Sequence, residues 1–363
     1  MKKRMEFTTS YRFGAGRYLH NASTLELSGE ELLRYGTKAY IVAGEKAWAA
    51  TKGRIEDSLN AAQVPFVLEI YTGFPSQRKV DEIVARVQKD ACDVILAVGG
   101  GRIMDLSKAV AFGMQLPIVA IPTSAATCAS FSPLSVMYTD EGNFAEYRHF
   151  EYELNAVLVD DLVMSQQNPR LLAAGIMDAM AKCIEIANGK PSITLEEDGI
   201  AKYSAYRMAK DIYDILDKYG LAAYCDVENS SPTETVHNVC FACIALTGIV
   251  SAIMRAKGQT AVAHRLYESL RTYYYRESID YLHGEIVATG LIAQLIYNNN
   301  PDAIDALKRF MKAMSMPMDL RELGLDGSSE CTDFLCSTIC GTESVPDEPE
   351  ARARLLLAFQ AIE

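Results

Sequence analysis

Three consecutive glycines, Gly99, Gly100 and Gly101, constrain the fold of this chain more than any other feature of its sequence. The apolar run 93–98 leads directly into them, and a helical pattern of apolar side chains follows over residues 104–112. A strand, a glycine turn and a helix start form an anion-binding site, because glycines let a phosphate approach the backbone and the first N–H groups of the helix face it. The spacing is not the Gly-x-Gly-x-x-Gly of the common dinucleotide fingerprint. A tight turn that binds no ligand therefore remains an alternative interpretation.

Short apolar runs alternate with helical patterns through the first half of the chain. Buried strands are predicted at residues 39–44, 66–71, 93–98 and 117–122, with helices at 55–62, at 80–88 and after the glycines. Strands joined by single helices indicate a parallel, doubly wound sheet, in which ligands bind at the carboxyl ends of the strands. Gly44-Glu45, the three glycines and Pro122-Thr123-Ser124 are therefore expected to meet at one edge.

The strand-rich part ends with a hairpin and one further strand. Residues 134–139 and 144–150 flank Asp140-Glu141-Gly142-Asn143, a turn sequence typical of a β-hairpin, and a strand is predicted at 156–160. Helical patterns then follow one another at residues 171–187, 200–216, 237–257, 262–274, 285–297 and 303–314. A chain of 363 residues exceeds one ordinary core. We therefore predict an α/β domain over residues 1–162 and an all-α domain over residues 163–363.

Charge and cysteine usage argue against several classes of protein. A net charge of −12 repels phosphates and so argues against a nucleic-acid or membrane partner. The longest apolar run, residues 240–254, is shorter than a membrane span and contains Thr247 and Ser251, so it is predicted to be a buried helix. Nine cysteines without paired spacing are typical of the reducing cytoplasm, and Cys240 and Cys243 are assigned to core packing.

Three side chains in the helical half have the chemistry of a metal centre. Asp178 lies in an otherwise apolar helical stretch, where a carboxylate is costly without a partner. His264 and His283 are two of only five histidines. One carboxylate and two imidazoles with an open position would make a catalytic site for a divalent metal. Spacing alone does not show that the three meet, and each also fits an ordinary role: an ion-paired aspartate, a packing histidine and a helix-capping histidine.

Short motifs that occur in a fixed order span most of the chain: residues 99–105 with Lys108, 122–127, 134–142, 174–179, 261–264 and 283–285. Together they resemble the iron-containing alcohol dehydrogenase superfamily, in its glycerol dehydrogenase-like branch. The resemblance implies the dehydroquinate synthase-like fold of that superfamily. It also implies an active site between the nucleotide-binding α/β domain and a helical domain that binds the metal and the substrate.

The resemblance also implies roles for individual residues. Asp178, His264 and His283 would hold one divalent metal, zinc in this branch, with iron or nickel as alternatives. The dinucleotide contacts of the family map onto Gly99, Gly100, Gly101, Arg102, Ile103, Asp105, Thr123, Ser124, Ala126, Ser132, Leu134 and Tyr138. The metal would act as a Lewis acid, and the cofactor would carry the hydride.

Glu45 bears on the choice of cofactor. It follows the first predicted strand, where the family places an acidic residue near the adenine ribose. A carboxylate there accepts hydrogen bonds from the 2′-hydroxyl and repels a 2′-phosphate, so NAD(H) is expected over NADP(H). The neighbouring Lys46 would favour the phosphate instead.

Several positions depart from the family pattern and bear on the substrate. Cys128 stands where glycerol dehydrogenases carry an aspartate that faces the polyol, and a thiol cannot replace that acceptor. Tyr267 replaces a common histidine, while Arg102 and Met177 replace the usual lysine and glycine. Cys128 and Pro133 are similar to the pattern of a sub-branch that reduces small 2-oxo acids, the hydroxycarboxylate dehydrogenase-like enzymes.

We therefore predict a metal-dependent, NAD(P)-linked oxidoreductase that interconverts a small alcohol or polyol and its carbonyl, with Cys128 in its catalytic site. Reduction of small 2-oxo acids is the first alternative. Arg265 would bind their carboxylate if it pointed into the cleft, but as the helical neighbour of His264 it fits the surface equally well. A dehydroquinate synthase-like lyase would need several basic residues, which are only scattered through the helical half. A catalytically inactive relative is the remaining alternative. We also expect a small-molecule substrate, a cytoplasmic location and assembly into a homo-oligomer.

Overall fold

The computed structural model describes residues 13–255 and 257–363 of the chain. Its strands are β1 (Tyr18–Asn21), β2 (Ala39–Ala43), β3 (Phe66–Ile70), β4 (Val94–Gly99), β5 (Ile118–Pro122), β6 (Leu134–Tyr138), β7 (Phe144–His149) and β8 (Ala156–Asp160). Its helices are α1 (Ser28–Leu33), α2 (Glu45–Ala61), α3 (Gln77–Lys89), α4 (Gly101–Met114), α5 (Asp161–Ser165), α6 (Pro169–Ala187), α7 (Leu195–Glu228), α8 (Glu234–Phe241), α9 (Thr247–Met254), α10 (Val262–Tyr273), α11 (Tyr275–Ser278), α12 (His283–Tyr297), α13 (Ile304–Ala313), α14 (Ser329–Ile339) and α15 (Pro349–Gln360). A π-helical segment, Ala242–Leu246, joins α8 to α9.

Six strands form one parallel sheet in the order β1-β8-β5-β4-β2-β3. Strands β2, β4, β5 and β8 are buried along their whole length because helices cover both faces of the sheet. Helices α1 and α2 pack on one face around Leu32, Ile55 and Leu59. Helices α3 and α4 pack on the other face around Ile83 and Met104. The predicted doubly wound parallel sheet is confirmed.

The edge strand β1 is absent from the sequence-based prediction. It pairs with β8 in parallel, with Tyr18 opposite Val157. The strand has only 4 residues, and His20 and Asn21 are polar, so no apolar run marks it in the sequence. This strand forms because its backbone pairs with β8, a long-range contact that no local pattern in the sequence marks.

The carboxyl ends of three strands lie side by side, as predicted. Strand β2 pairs with β4 so that Ala43 lies opposite Val98. Strand β4 pairs with β5 so that Gly99 lies opposite Pro122. The turns that follow the three strands therefore emerge together at one edge of the sheet, where doubly wound folds bind their ligands.

Strands β6 and β7 form the predicted hairpin as a separate two-stranded sheet. Lys108 of α4 fastens the segment that leads into it. The buried Nζ atom donates to the carbonyl oxygens of Ala129 at 2.7 Å, Ser132 at 3.1 Å and Leu134. Its charge is balanced by Asp105, at 3.0 Å. These contacts hold the segment before β6 against the helix that follows the glycine turn.

After β8 the described chain is helical, apart from an isolated bridge between Thr342 and Val345. All the predicted helices are present, and four further helices, α5, α11, α14 and α15, are not among the predicted ones. Helix α6 begins before its apolar pattern because Asn168 caps it and accepts a hydrogen bond from the N–H of Arg170. Helix α7 is much longer than predicted and is interrupted near its start by Gly199, at φ 75°.

The predicted domain boundary at residues 162/163 falls within α5, the first helix after the sheet. One apolar cluster contains side chains from both halves of the chain, among them Ile95 of β4 and Ile286 of α12. Because the core is continuous across the boundary, the division into two domains stays a prediction.

One helix in the described part of the chain, Glu234–Met254, is long and apolar enough to cross a membrane by length and composition alone. It exceeds the apolar run at 240–254 because Thr233 caps α8 ahead of that run. Of its most apolar window, 72% is buried inside the protein, as expected for the predicted core helix.

Two glycines let α6 and α12 lie in direct contact with neighbouring backbone. A Cβ at Gly175 of α6 would lie 1.9 Å from the carbonyl oxygen of Ala125, in the segment after β5. A Cβ at Gly284, in the first turn of α12, would lie 1.9 Å from the carbonyl oxygen of Ala174. Neither position accepts a side chain without a shift of backbone. These contacts therefore set the distances between the sheet edge, α6 and α12.

We predict that Gly175→Ala lowers the free energy of unfolding by about 1–3 kcal/mol, because overpacking displaces the backbone. Gly53→Ala is the matched control, since Gly53 is exposed in α2 and nothing lies within 4 Å of its Cβ position. Alanine there should raise the free energy of unfolding by about 0.5–1 kcal/mol. Urea denaturation followed by circular dichroism measures both, and equal stability of the two variants would contradict the close contact at Gly175.

Candidate active site

A cavity of about 750 Å³ opens at the carboxyl edge of the sheet, between the hairpin and helices α6, α10 and α12. Gly99 is the only predicted site residue that does not line it. The others do: Glu45, Gly100, Gly101, Arg102, Ile103, Asp105, Thr123, Ser124, Ala126, Cys128, Ser132, Leu134, Tyr138, Asp178, His264 and His283. A cavity of this size with convergent polar groups fits a small-molecule site.

The N-terminus of α4 faces the cavity without a side-chain cap. Gly100 precedes the helix in an extended conformation (φ −89°, ψ −170°), and the helix begins at Gly101. A Cβ at Gly101 would lie 3.3 Å from Oγ1 of Thr127 and would crowd the space in front of the helix. Gly99 lies behind this turn, where a Cβ would be 2.9 Å from Cγ1 of Ile103. The geometry fits an anion at the helix N-terminus, and Gly99 serves the turn rather than the cavity wall.

Three other predicted cofactor residues differ in their surroundings. Glu45 is exposed as the first residue of α2. The Arg102 guanidinium lies 4.3 Å from the centre of the Phe74 ring, so its charge covers an aromatic face. Asp105 is buried, and burial raises the pKa of its carboxyl although Lys108 opposes the effect. Asp105 balances the charge of that lysine, and a contact with the cofactor stays a prediction.

The structure brings Asp178, His264 and His283 together from three different helices. Oδ1 of Asp178, on α6, lies 3.2 Å from Nε2 of His264 and 3.4 Å from Nε2 of His283. The two imidazole rings are tilted by 59°, with centroids 5.1 Å apart. One ligand atom from each side chain lies within 4.8 Å of the other two. The three therefore have the spacing that a shared metal ion requires.

The charges around Asp178 favour its ionised form. Burial alone would raise the pKa of this carboxyl, but Lys182 and the two histidines hold that pKa well below its usual range. Burial lowers the pKa of His283, whose neutral imidazole is the form that binds metals. Oδ1 of Asp178 is buried and has no hydrogen bond to the described residues. A buried carboxylate oxygen without a hydrogen bond, facing two imidazoles, fits a divalent cation.

Glu185, which is not among the predicted site residues, orients His264. Its Oε2 atom lies 2.5 Å from Nδ1 of His264. Its Oε1 atom accepts hydrogen bonds from the backbone N–H groups of His264 and Ala261 at 3.0 and 2.7 Å. This carboxylate raises the pKa of His264 against the lowering effect of burial. A carboxylate behind a ligating histidine fixes the ring and leaves the other nitrogen to face the metal.

Lys182 is a second site residue that is not among the predicted ones. It lines the cavity, and its Nζ atom lies 3.3 Å from Nε2 of His264. A signal for both omitted residues is present in the sequence. Lys182 and Glu185 follow Asp178 at positions i+4 and i+7 of an otherwise apolar helix, a spacing that places all three on one face.

Three of the positions that depart from the family pattern, Arg102, Cys128 and Tyr267, lie in the cavity wall. Burial raises the pKa of the Cys128 thiol to about 11, so this group is neutral at physiological pH. The Tyr267 hydroxyl lies 2.9 Å from that of Tyr138, and its ring meets His283 edge-on at a centroid distance of 4.2 Å. Tyr267 thus braces one proposed ligand and the hairpin.

Arg265 does not line the cavity, so the condition under which it would bind a substrate carboxylate is not met. Its guanidinium donates to Glu268 at 2.5 Å and to Glu343 at 3.3 Å. The residue follows His264 on α10, and successive side chains of a helix point about 100° apart. An inward His264 therefore directs Arg265 towards these acidic partners.

A second group of potential ligands lies outside the cavity, beside the end of β1. His20 Nε2 and His237 Nδ1 lie 2.9 and 3.0 Å from Oδ1 of Asp161. The two rings stack in planes only 17° apart, with centroids separated by 3.8 Å. The close stacking of the two rings and their ion-pair contacts with Asp161 account for this group without a ligand. We therefore assign this group to packing.

Comparison with known proteins identifies the family. Residues 15–161 match the family model described as iron-containing alcohol dehydrogenase. The chain is 31% identical to a glycerol dehydrogenase of Thermotoga maritima over 339 residues, which cover 92% of this chain and 91% of the relative. The chain belongs to the iron-containing alcohol dehydrogenase family.

Two further comparisons refine this assignment. Hydroxycarboxylate dehydrogenase A of Escherichia coli is 28% identical over 358 residues, 96% of this chain and 95% of that protein. The crystal structure of glycerol dehydrogenase from Schizosaccharomyces pombe has a TM-score of 0.81 at 25% identity, covering 99% of this chain and 92% of that one. The predicted glycerol dehydrogenase-like branch and fold class are confirmed. As a member of the iron-containing alcohol dehydrogenase family, the chain is an NAD-linked, metal-dependent oxidoreductase that acts on a CH–OH group.

Proposed function

We propose that Asp178, His264 and His283 hold one zinc ion, beside which NAD(H) and a small alcohol or carbonyl compound exchange a hydride. The observation that carries the proposal is the convergence of these side chains, from three helices, around an Asp178 oxygen that has no hydrogen bond to the described residues. Two imidazoles and one carboxylate with an open position are a catalytic ligand set for zinc. The same ligand set suits iron, and nickel is a further alternative. Elemental analysis of the purified protein would identify the bound metal.

The residues of the chain position the reaction. In reduction, the carbonyl carbon gains a hydride from the nicotinamide and its oxygen gains a proton, and oxidation is the reverse. The metal, when bound, supplies the positive charge that polarises the reacting oxygen. The uncapped N-terminus of α4, with Gly100 and Gly101, would bind the cofactor pyrophosphate. Glu185 keeps Nε2 of His264 directed at Asp178.

Two other classes have less support from the cavity. A dehydroquinate synthase-like lyase needs several basic residues for its phosphorylated acid. Lys182 is the one lysine of the described cavity wall beside the three proposed ligands, and Arg271 already donates to the carbonyl oxygens of Ser278 and Tyr281. An inactive relative would have no need to retain a buried carboxylate between two histidines.

Removal of the metal tests the proposal. We expect exhaustive chelation, His264→Ala and Asp178→Asn each to abolish NADH oxidation by carbonyl substrates, because the reacting oxygen is no longer polarised. Elemental analysis should find roughly a tenth or less of the wild-type zinc in His264→Ala, while circular dichroism shows an unchanged fold. His237→Ala, from the stacked pair outside the cavity, is the matched control and should keep both zinc and activity. Full activity of chelated His264→Ala would remove the metal from the mechanism.

Glu45 supports NAD(H) as the preferred cofactor. It lines the cavity at the start of α2, next to the exposed Lys46. We expect kcat/KM for NADH to exceed that for NADPH by about tenfold or more, equivalent to ~1.4 kcal/mol, because the carboxylate repels a 2′-phosphate. Glu45→Gln should lower the ratio of kcat/KM for NADH to that for NADPH, and Lys46→Gln should raise it. Comparable kcat/KM values for the two cofactors in the wild type would contradict the preference.

Cys128 favours a second candidate, the reduction of small 2-oxo acids. Its neutral thiol cannot accept a polyol hydroxyl as a carboxylate does, and it does not repel a substrate carboxylate. The likeness to hydroxycarboxylate dehydrogenase A over 96% of the chain supports the same candidate. Glycerol is therefore expected to be a poor substrate, and a 2-oxo acid or hydroxyketone a better one.

We predict that Cys128→Asp raises glycerol oxidation relative to 2-oxo acid reduction by about tenfold, a change of ~1.4 kcal/mol in transition-state binding. Cys128→Asn is the matched control, because asparagine has the shape of aspartate without its charge. It should leave the ratio of the two activities near that of the wild type. Steady-state kcat/KM values for both substrates give the ratio. Efficient glycerol oxidation by the wild type, with no reduction of 2-oxo acids, would contradict the assignment to Cys128.

We also propose that the protein is located in the cytoplasm and forms a homo-oligomer. None of the nine cysteines, all within the described residues, forms a disulfide, which supports a reducing compartment. Sedimentation of the purified protein would establish the number of chains.

A further inference from the structure

Lys182 carries a charge that the proposed function does not use. It lies on α6 one turn after Asp178 and lines the cavity, with only 6% of its side chain exposed. Its Nζ atom lies 3.3 Å from Nε2 of His264 and 3.9 Å from Oδ1 of Asp178. Both of these atoms belong to proposed metal ligands. The ammonium therefore faces the position at which the substrate reacts.

A metal at this site would leave the ammonium without its present neighbours. A cation held by Asp178 and His264 would occupy the carboxylate oxygen and the nitrogen lone pair that now face Nζ. The other carboxylate that acts on this region, Glu185, already accepts from Ala261 and His264. A divalent ion and one ammonium exceed the charges of Asp178 and Glu185 by one unit. A buried positive charge without a counter-charge is costly.

The rest of the described cavity wall offers no anion to balance this charge. Asp105 pairs with Lys108 at 3.0 Å, and Glu45 is exposed at the start of α2. Cys128, on which the charge of Lys182 also acts, is a neutral thiol. We propose that Lys182 binds the carboxylate of a 2-oxo acid, or of the 2-hydroxy acid in the reverse direction. The inference rests on the proposed function and names the substrate class of the same site.

The position of Lys182 matches the shape of such a substrate. In a 2-oxo acid the carboxylate carbon is bonded directly to the carbonyl carbon, so its binding group must lie beside the ligands that hold the reacting oxygen. Nζ of Lys182 is within 3.9 Å of two of them. An ammonium that meets a carboxylate in a buried site makes a charge-assisted hydrogen bond. A polyol hydroxyl would leave the ammonium charge uncompensated.

Pyruvate and hydroxyacetone form a matched pair of substrates for the test. Both are three-carbon methyl ketones, and they differ only in a carboxylate against a hydroxymethyl group. In the zinc-loaded enzyme with NADH, Lys182→Met should lower kcat/KM for pyruvate by about 10- to 100-fold. The value for hydroxyacetone should change by no more than about threefold. Lys182→Arg, which keeps the charge, should retain most of the preference for pyruvate.

Two measurements besides activity accompany the kinetics. Elemental analysis should find the wild-type amount of zinc in Lys182→Met. Calorimetry should show that oxamate, a pyruvate analogue that is not reduced, binds the zinc–NADH complex of Lys182→Met about 10- to 100-fold more weakly than that of the wild type. Arg265→Gln is the matched control, because that cation lies outside the cavity, and it should leave oxamate binding unchanged.

The outcomes separate this inference from the proposed function. Equal losses for pyruvate and hydroxyacetone in Lys182→Met, unchanged oxamate binding, or a wild type that reduces hydroxyacetone but neither reduces pyruvate nor binds oxamate would each overturn the role of Lys182. A wild type that binds no zinc and reduces neither ketone would instead overturn the proposed function. Loss of oxamate binding in Arg265→Gln but not in Lys182→Met would move the carboxylate site to Arg265.

Discussion

The active-site geometry depends on the contact of α6 with backbone on both of its sides. Gly175 lies against the carbonyl of Ala125 in the segment after β5, and the carbonyl of Ala174 lies against Gly284 at the start of α12. Protein interiors are packed too densely for an added carbon to fit at such distances. His283 adjoins Gly284, and Asp178 follows Gly175 by one turn. The same contact therefore sets the separation of two proposed metal ligands and their distance from the cofactor side of the cavity.

Helix α6 carries three charged side chains on one buried face, and each would be costly to bury alone. Asp178, Lys182 and Glu185 are stacked along the helix by their i, i+4, i+7 spacing. They are tolerated because His264 lies between the two carboxylates, at 3.2 Å from Asp178 and 2.5 Å from Glu185, while Lys182 lies 3.3 Å from the same ring. A core helix with this many charges departs from what packing alone favours, and such departures are expected at functional sites.

Local patterns made much of the fold predictable. Buried strands, single connecting helices and the convergence of three turns follow from apolar runs and from parallel topology, whereas β1 has no apolar run and depends on pairing with β8. The meeting of Asp178 with two distant histidines is a long-range contact that spacing cannot show, and the family resemblance supplied it. The direction of Arg265 depended on the rotation of α10. Lys182 and Glu185 could have been predicted from the sequence, because helical spacing places them on the same face of the helix as Asp178.

We propose that positions 128 and 182 together determine which charge a substrate must carry. The Cys128 thiol is acted on by both Asp178 and Lys182, so a charge introduced there would interact with both. An aspartate at this position would compensate the ammonium of Lys182 and remove its need for an anionic substrate, while also accepting hydroxyl groups. A neutral thiol does not compensate the ammonium charge of Lys182, so the substrate must supply the negative charge. Since the two side chains act on the same few ångströms of cavity, the free energies of changing them are not expected to add. On this proposal, selection between a polyol and an acid depends on the total charge around the metal position.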